Sequence, residues 1–246
     1  MTASPLFIRM KSHGFSLTEL LITIGIIAVL ATLLFPTLST MRQRAQATEC
    51  LNNLKRIGEC LFRYASDHRG SLPAVATVWP PSQQQTWGYA LWEYAGYGET
   101  DFQQPANDLT LRPGAEAKNI FRCPATRAQG LKTPPFPGVG QVNGTLYSYG
   151  LNCRPLGGKP GAGDSAQDWV SPIPMTRIGF PATTAMVTET SFCLGSLTGY
   201  VSYYGMIPHS GGSNVLFYDG HVEWLPATQI PRGESGNGRR FWGGLP

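Results

Sequence analysis

The apolar and polar positions of this chain follow two different patterns in its N-terminal part. From Leu20 to Met41, 22 consecutive residues carry no charged side chain. As a helix this run is about 33 Å long at roughly 1.5 Å per residue, which is enough to cross a hydrocarbon core of about 30 Å. The pattern therefore predicts a membrane-compatible helix rather than a helix of a soluble core.

The second pattern is an amphipathic helical period that follows the uncharged run. Apolar side chains recur there every three or four residues on one stripe, at Cys50, Leu54, Ile57, Leu61 and Tyr64. The helix is expected to end near Asp67–Gly70, where Gly70 can adopt the left-handed cap. A nearly continuous helix over 15–68 is thus predicted, with a membrane or fibre segment at roughly 18–40 and an amphipathic second half that packs on a domain.

The clearest strand pattern is NVLFYDGHVEWL, residues 214 to 225. Asp219–Gly220 is typical of a two-residue type I′ hairpin turn, in which both residues need a positive φ. Pairing about that turn predicts one apolar face made of two facing pairs, Phe217–Val222 and Val215–Trp224. The opposite face is then expected to carry Leu216, Tyr218, His221 and Glu223.

The remaining segments indicate loops and a packed aromatic layer. Residues 133–165 are rich in proline and glycine and are expected to form loop with one short strand, and a short helix is expected around WGYALWEYAG. The predicted fold class is α+β and pilin-like, with a long N-terminal helix packed on a small antiparallel β-sheet and long Pro/Gly-rich loops. Residues 69–230 form the predicted globular β-rich head domain, and 231–246 a flexible C-terminal tail.

Composition and cysteine spacing narrow the class of protein. Charged residues make up 14% of the chain, the net charge is +4, and no Lys/Arg cluster exceeds two residues, which argues against nucleic-acid binding. No C-x-x-C pair occurs, so a zinc ribbon or a thioredoxin-type site is not predicted. Outside the cytoplasm one or two disulfides can form and at least one thiol is left over, while the pairing stays open among Cys50, Cys60, Cys123, Cys153 and Cys193.

One carboxylate, Glu19, stands at the start of the uncharged run. A cleavable secretory signal would have a shorter apolar region of about 7–15 residues and a small-residue cleavage site, which this run lacks. A plain signal anchor is the other rival, and its orientation is open because basic residues flank both ends of the run. Glu19 then either reaches the headgroup layer or pairs with a free amine made by cleavage between Gly14 and Phe15.

The segment GFSLTELLITIGIIAVLATLLFP, which starts at Gly14, resembles the processing and assembly signature of type IV pilins and type II secretion pseudopilins. The resemblance implies that a membrane-embedded aspartyl peptidase cuts after Gly14 and that Phe15 is then N-methylated. It also implies that Glu19 neutralises the new amine of a neighbouring subunit as the fibre assembles. His13 departs from the family, which commonly has lysine or arginine at that position.

The implied pairing agrees with elementary electrostatics. An unpaired carboxylate in a low-dielectric fibre core is costly, whereas a carboxylate–ammonium pair between subunits is tolerated and sets their axial register. Further along the same helix, Pro36 removes one backbone donor, which predicts a kink at this residue. The alternative is a simple helix end at the membrane exit.

Later patches resemble pilin-like proteins that end in a motif of one histidine, nine residues and Asp-Gly. The C-terminal match consists of His209, Asp219 and Gly220, inside PHSGGSNVLFYDGHVEWLP. Interior matches are CLNNLKRIGECLFRYASDHRGSLP, IFRCP and SYGLN. The resemblance therefore covers most of the chain, and its motifs are most specific at the N-terminal end.

The resemblance implies a precursor with a leader peptide at 1–14, a single pass through the bacterial inner membrane and a periplasmic C-terminal domain. The implied partners are copies of itself, related pilin-like subunits, a prepilin peptidase/methyltransferase, an inner-membrane assembly platform and membrane lipid. The implied function is that of a structural subunit of a type II secretion pseudopilus or a type IV pilus-like fibre, serving protein export or surface functions. The calcium site of major pseudopilins is not carried over, because its oxygen-rich ligand set is not recognisable here, and no cofactor is expected.

Other functions compete with this interpretation. His209, Asp219 and His221 could form a zinc site, but the favoured interpretation gives Asp219 to the turn, His209 to a hydrogen bond with a loop and His221 to solvent, so no metal is predicted. An enzyme is not predicted, because the sequence has no H-E-x-x-H, G-x-S-x-G or P-loop motif and Glu189 has no evident partner. The alternative is a membrane-anchored extracytoplasmic protein that binds carbohydrate or peptide through exposed aromatics. Burial of Trp79, Trp87 and Trp92 would argue against this alternative.

Overall fold

The structure is a computed structural model of the 246-residue chain. It describes residues 16–75, 87–98, 119–125, 148–152, 171–189, 194–195, 209–231 and 237–244. The chain divides into two compact units, Met1–Arg44 and Ala45–Pro246.

The dominant element is helix α1, Leu17–Asp67, 51 residues long. Its end matches the prediction, because Gly70 adopts a φ of +76° and its N–H donates to the carbonyl oxygen of Ala65 at 2.8 Å. The helix continues past Pro36, so the alternative of a helix end at that residue is wrong. The kink at Pro36 stays a prediction.

The second half of α1 is held by its apolar stripe. The predicted stripe is confirmed. Four of its side chains are fully buried, namely Cys50, Leu54, Ile57 and Leu61. Tyr64 is half-buried against the same core. Gly58 lies on this face, where a Cβ would come within 3.2 Å of the Leu216 side chain. The stripe therefore packs directly on a β-sheet.

The sheet has five strands among the described residues, in the spatial order β5-β2-β4-β6-β7. Neighbouring strands are antiparallel except β2 and β5, which are parallel. Their bounds are Tyr149–Asn152 for β2, Ala185–Glu189 for β4, Leu194–Gly195 for β5, Gly212–Phe217 for β6 and Val222–Pro226 for β7. A two-stranded antiparallel pair lies apart from this sheet, formed by β1 (Ser71–Leu72) and β3 (Ile173–Pro174), and a 3₁₀ turn follows at Met175–Arg177.

This arrangement confirms the α+β class, with a long N-terminal helix and small antiparallel sheets. The short helix expected in the aromatic segment is also present, as α2, Trp87–Ala90. Trp87 is fully buried and Trp92 is half-buried, whereas Trp79 lies outside the described residues. These two tryptophans therefore belong to the packed aromatic layer.

The prediction of a flexible tail over 231–246 is wrong for its described part. Residues Asn237–Gly243 form a helix, α3, in which Phe241 and Trp242 are buried. Trp242 Nε1 donates to the carbonyl oxygen of Pro231 at 3.0 Å, and the Trp242 carbonyl oxygen accepts from Asn152 Nδ2 at 2.8 Å. Two large aromatic side chains outweigh the polar surroundings of the segment, because their burial removes much apolar surface from water.

The predicted hairpin exists, but its register differs by one residue. Leu216 pairs with Val222 and Val215 with Glu223, and the Phe217 N–H donates to the His221 carbonyl oxygen at 2.9 Å. Three residues, Tyr218–Gly220, therefore remain as the loop between paired positions. Of the loop residues only Gly220 has a positive φ, +94°. A three-residue loop needs one left-handed residue, whereas type I′ needs two, so Asp219 avoids that conformation here.

The shifted register moves the side chains to different faces from those predicted. Val215 and Phe217 lie in one core cluster, together with Leu225 and the aromatic pair of α3. Leu216 and Tyr218 lie in the other cluster, which includes the stripe of α1. Strand β6 is therefore buried on both faces, and the predicted apolar face that joined Val215 to Trp224 is wrong.

Candidate functional site

The N-terminal candidate site begins at a reciprocal hydrogen-bond pair. The Ser16 backbone N–H donates to Glu19 Oε2 at 2.9 Å, and the Glu19 N–H donates to Ser16 Oγ at 3.2 Å. Since α1 begins at Leu17, Ser16 is the N-cap and Glu19 the third helical residue, which is the arrangement called a capping box. The predicted cleavage position, Gly14 and Phe15, lies outside the described residues.

The capping box gives Glu19 a role within its own helix. The sequence signal for it is SLTE, a serine followed three residues later by glutamate ahead of an apolar run, and the sequence analysis missed it. The hydrogen bond holds the Glu19 carboxylate at the backbone N–H of Ser16, the residue that follows Phe15 in sequence. Cleavage between Gly14 and Phe15 would expose the amine of Phe15. Glu19 is exposed in its own unit, so it remains accessible to a second group.

The first half of α1 presents an apolar surface that its own unit leaves uncovered. Fourteen large apolar side chains between Leu17 and Met41 are 52% to 78% exposed. The helix is long and apolar enough to cross a membrane, a test that a signal sequence near the N-terminus also passes. In water such a surface is unfavourable, so it requires lipid or other protein around it.

The structure separates the residues of the C-terminal motif. His209 is buried and bridges to Gly212 at the start of β6, whereas Asp219 and Gly220 lie in the loop that follows β6. Strand β6 has six residues, about 20 Å at roughly 3.3 Å per residue, so the nine-residue spacing of the motif is set by one turn and one strand. The set His209, Asp219 and His221 is therefore not brought together to bind one metal ion.

At the loop end of the motif, Asp219 serves the turn. Its Oδ1 accepts from the His221 N–H at 3.1 Å and lies beside His221 Nδ1, and the His221 side chain is exposed. Burial raises the pKa of Asp219, but the hydrogen bonds and the charge of His221 outweigh it, so this pKa lies below its ordinary value. These contacts agree with the interpretation that the pair shapes the hairpin.

At the other end of the motif, His209 meets a buried carboxylate instead of a loop. His209 Nε2 lies 2.8 Å from Glu189 Oε1, and both side chains are almost completely buried. The prediction that His209 hydrogen-bonds a loop is therefore wrong. Its partner is Glu189, the last residue of β4. Glu189, which had no evident partner in the sequence, has one here.

Glu189 is the centre of a hydrogen-bond network. Its Oε2 accepts from Ser213 Oγ at 3.0 Å and from the Asn214 N–H at 2.8 Å, and its Oε1 also accepts from Asn214 Nδ2 at 3.2 Å. A buried carboxylate is tolerated only when it is hydrogen-bonded or paired in this way. The network therefore holds both carboxylate oxygens in place between β4 and β6.

A disulfide lies directly beside this pair. Cys50 of α1 is bonded to Cys123, and Cys123 Sγ lies 3.5 Å from His209 Nε2. The two sulfurs, a carboxylate oxygen of Glu189 and a ring nitrogen of His209 all lie within 4.8 Å of one another, and all four residues are buried. Cys60 is a free, buried thiol, and Cys153 and Cys193 lie outside the described residues.

Tyr149 closes the cluster from the neighbouring strand. It pairs with Glu189 across β2 and β4, and its hydroxyl donates to the carbonyl oxygen of Cys50 at 3.2 Å. Burial, and next the charge of Glu189, raise the pKa of Tyr149 well above its ordinary value. The phenol is therefore neutral and serves as a hydrogen-bond donor.

Sequence reasoning could not assemble this cluster, because its members lie far apart in the chain. His209 is 20 residues from Glu189 and 86 from Cys123. The one local signal is an acid that ends the mostly apolar strand segment AMVTE. A fully buried strand that contains a carboxylate must provide it with donors, but the pattern does not say which ones.

Comparison with known families divides the chain into two matched segments. Residues 9–35 match the model described as the prokaryotic N-terminal methylation motif. Residues 39–171, more than half of the chain, match the model described as protein of unknown function (DUF1559). No curated protein and no solved structure matches the chain. His209, Asp219 and Gly220 lie beyond both matched segments.

Proposed function

The chain belongs to the family of proteins of unknown function designated DUF1559, and from this premise we propose that it is a structural fibre subunit made from a prepilin-type precursor. The methylation motif makes it a pilin-like protein, and the apolar N-terminal helix is consistent with a single-pass inner-membrane anchor. In the proposal, the subunit leaves the membrane for a type II secretion pseudopilus or a type IV pilus-like fibre. The head then lies on the periplasmic side.

The observation that carries this proposal is the combination of one carboxylate with a bare apolar helix. The large apolar side chains of the first half of α1 are exposed, and Glu19 stands at its first turn. In lipid the apolar surface is covered, and in a fibre it would be covered by the same helix of neighbouring copies. The carboxylate then needs a cation, and the amine of Phe15 in an adjoining copy provides one.

Processing supplies that cation. Cleavage between Gly14 and Phe15 by a prepilin peptidase/methyltransferase creates the amine next to the N-cap, Ser16. The capping box holds the Glu19 carboxylate at this end of the helix, ready for an exchange of partners between its own Ser16 N–H and the amine of another copy. The proposed partners are therefore copies of the chain, related pilin-like subunits, the peptidase, an inner-membrane assembly platform and lipid.

Variants at two positions separate the pairing role of Glu19 from its capping role. Glu19→Gln keeps a side chain that suits a capping box but removes the charge. Ser16→Ala removes one capping hydrogen bond, at a cost of about 0.5–2 kcal/mol in helix stability, and keeps the charge. Glu19→Ala removes both contributions.

The experiment uses the full precursor in its host, with three readouts for each variant: membrane fractionation, intact mass and the yield of sheared fibres. We expect wild-type protein to start at Phe15 with one added methyl group. Glu19→Gln and Glu19→Ala are expected to be inserted and cleaved but poorly assembled, and Ser16→Ala to assemble. Normal fibre yield from Glu19→Gln would contradict the pairing role, and a mature chain that keeps residues 1–14 would contradict the whole proposal.

The proposal gives the chain no catalytic role. It also leaves a membrane-anchored binding protein as the alternative function, and the described aromatics argue against that alternative. Trp87 is buried, Trp92 is packed in the core layer, and the exposed Trp224 uses its Nε1 to donate to the carbonyl oxygen of His209 at 2.9 Å. These side chains therefore serve packing in the head.

A further inference from the structure

We propose that Cys50, Cys123, Glu189 and His209 bind one zinc-class divalent ion when the Cys50–Cys123 disulfide is reduced. The inference is independent of fibre assembly, because all four residues belong to the unit Ala45–Pro246. The four side chains come from α1, from the segment 119–125, from the end of β4 and from the turn before β6. The site is thus built by the fold, with no two ligands adjacent in sequence.

The distances in the disulfide form already approach those of a tetrahedral site. Zinc–sulfur bonds of about 2.3 Å and zinc–nitrogen bonds of about 2.0 Å at a tetrahedral angle place sulfur and nitrogen roughly 3.5 Å apart. Cys123 Sγ and His209 Nε2 lie 3.5 Å apart. All four ligand atoms lie within 4.8 Å of one another, against roughly 3.3–3.8 Å in a tetrahedral zinc site. Binding therefore requires the two sulfurs to separate and the most distant ligand atoms to approach one another.

The donor set is one that zinc accepts. Two thiolates, one imidazole and one carboxylate are borderline-soft and hard donors that zinc binds in four-coordinate sites. The carboxylate is already oriented by Ser213 and Asn214, which would act as outer-shell partners. His209 would turn its Nε2 lone pair to the metal, and its proton would move to Nδ1.

The charge of the site favours the exchange. The disulfide carries no charge. In the metal form the +2 of zinc cancels the charge of the two thiolates. Zinc replaces a neutral crosslink with a neutral group, and no additional uncompensated charge is buried.

The exchange is a balanced redox step followed by metal binding. A dithiol reductant gives two electrons and two protons to the Cys50–Cys123 bond, which becomes two thiols while the reductant becomes a disulfide. Zinc then displaces the two thiol protons to solvent and forms two zinc–sulfur bonds. In both forms Cys50 of α1 stays tied to the segment that contains Cys123, which Asn53 also contacts by donating to the Arg122 carbonyl oxygen at 3.0 Å.

The test needs a chain in which only the proposed thiols remain. In the full-length background variant Cys60→Ala/Cys153→Ser/Cys193→Ser, the protein is reduced with a phosphine, freed of metal and titrated with Zn²⁺ and Co²⁺. We expect one equivalent to bind the reduced form and none the oxidised form, a tetrahedral thiolate spectrum with Co²⁺, and a higher melting temperature of the reduced protein with Zn²⁺.

Matched variants identify the ligands. Glu189→Gln and His209→Gln are each expected to weaken binding at least about 10-fold, and Ser213→Ala, which acts through the carboxylate, about 10-fold. His68→Gln, an exposed histidine that stacks on Tyr64, is the control and should bind as the background does. If the triple background does not fold, the Co²⁺ spectra of reduced wild-type and His209→Gln proteins decide instead.

Two results would overturn the proposal. The first is a reduced background protein that binds no metal and shows no stabilisation by Zn²⁺. The second is binding that is unchanged by both Glu189→Gln and His209→Gln, which would mean that the thiols alone hold the ion. Neither result would affect the proposed role of Glu19 in assembly, since that role is measured by fibre yield.

Discussion

His209 contacts Glu189 through Nε2 and Oε1 at 2.8 Å, inside a domain where neither side chain reaches solvent. The contact links the turn before β6 to the last residue of β4. His209, which the sequence analysis assigned to a loop contact, is therefore part of the buried core. The strand β6 that follows is buried along its whole length, so this pair helps to fix the turn from which a core strand begins.

The first prediction concerns the loss of the Glu189 carboxylate. Glu189→Ala leaves His209, Ser213 and Asn214 without their acceptor, and we expect a loss of about 3–5 kcal/mol in unfolding free energy, as for other broken buried pairs. Glu189→Gln keeps one acceptor oxygen and should lose less. Thermal unfolding of the detergent-solubilised protein measures both.

The matched control for this prediction is Glu223→Gln. Glu223 is exposed and its carboxylate lies 4.0 Å from His221 Nε2, a contact that water screens. Its unfolding free energy should change by less than about 0.5 kcal/mol. An equal effect of Glu189→Ala and Glu223→Gln would show that the buried network does not stabilise the head.

The second prediction concerns pH. Because the pKa of Tyr149 is raised in the folded protein, the unfolded state loses the phenol proton first as the pH rises. The contribution of Tyr149 to stability is therefore full below its unfolded pKa of about 10 and falls above it. Tyr149→Phe should remove this part of the alkaline decrease.

The measurement is the unfolding free energy of wild type and Tyr149→Phe at neutral pH and above about pH 10. Other tyrosines also titrate in that range, so the difference between the two proteins at each pH is the informative quantity. We expect the difference to shrink as the pH rises. A difference that does not depend on pH would show that Tyr149 titrates alike in both states.

The third prediction tests the three-residue hairpin loop. Gly220 combines a φ of +94° with close packing, since a Cβ there would lie 3.0 Å from Phe62 Cε2. We expect Gly220→Ala to cost about 1–3 kcal/mol. Gly70→Ala is the control, because Gly70 has a φ of +76° but no atom within 4 Å of the added Cβ.

Gly70→Ala should therefore cost only the backbone term, about 1 kcal/mol. The free energies of unfolding of the two variants are compared with wild type under one condition. Equal costs would mean that Phe62 moves aside without loss. A Gly220→Ala variant as stable as wild type would contradict the left-handed conformation of the loop.

The fourth prediction concerns the C-terminal helix. Trp242→Ala removes a large side chain that is buried on the sheet and hydrogen-bonded to Pro231, so we expect a loss of about 3–5 kcal/mol. Arg239→Ala, an exposed position on the same helix, should change stability by less than about 0.5 kcal/mol. Thermal unfolding distinguishes these results from the behaviour of a free tail, in which both variants would match wild type.

The elements predicted correctly are those whose signal is local. The apolar run from Leu20, the stripe that includes Leu54 and Ile57, and the cap at Gly70 each depend on residues within one or two helical turns. A helix satisfies its own backbone hydrogen bonds, so periodicity and composition are enough to place it. The α+β class follows from the same helix and from the alternation around Asp219–Gly220.

The sequence by itself determined the long helix, its apolar half and the position of the lone carboxylate Glu19, because these properties depend on neighbours along one chain segment. Only the tertiary structure decided the hairpin register, the packing of Trp242 and the meeting of His209 with Glu189 and the disulfide. Each of these depends on which surfaces exclude water together and which donors reach a buried acceptor. Such contacts join residues 20 to 90 positions apart, where no local pattern identifies the partner.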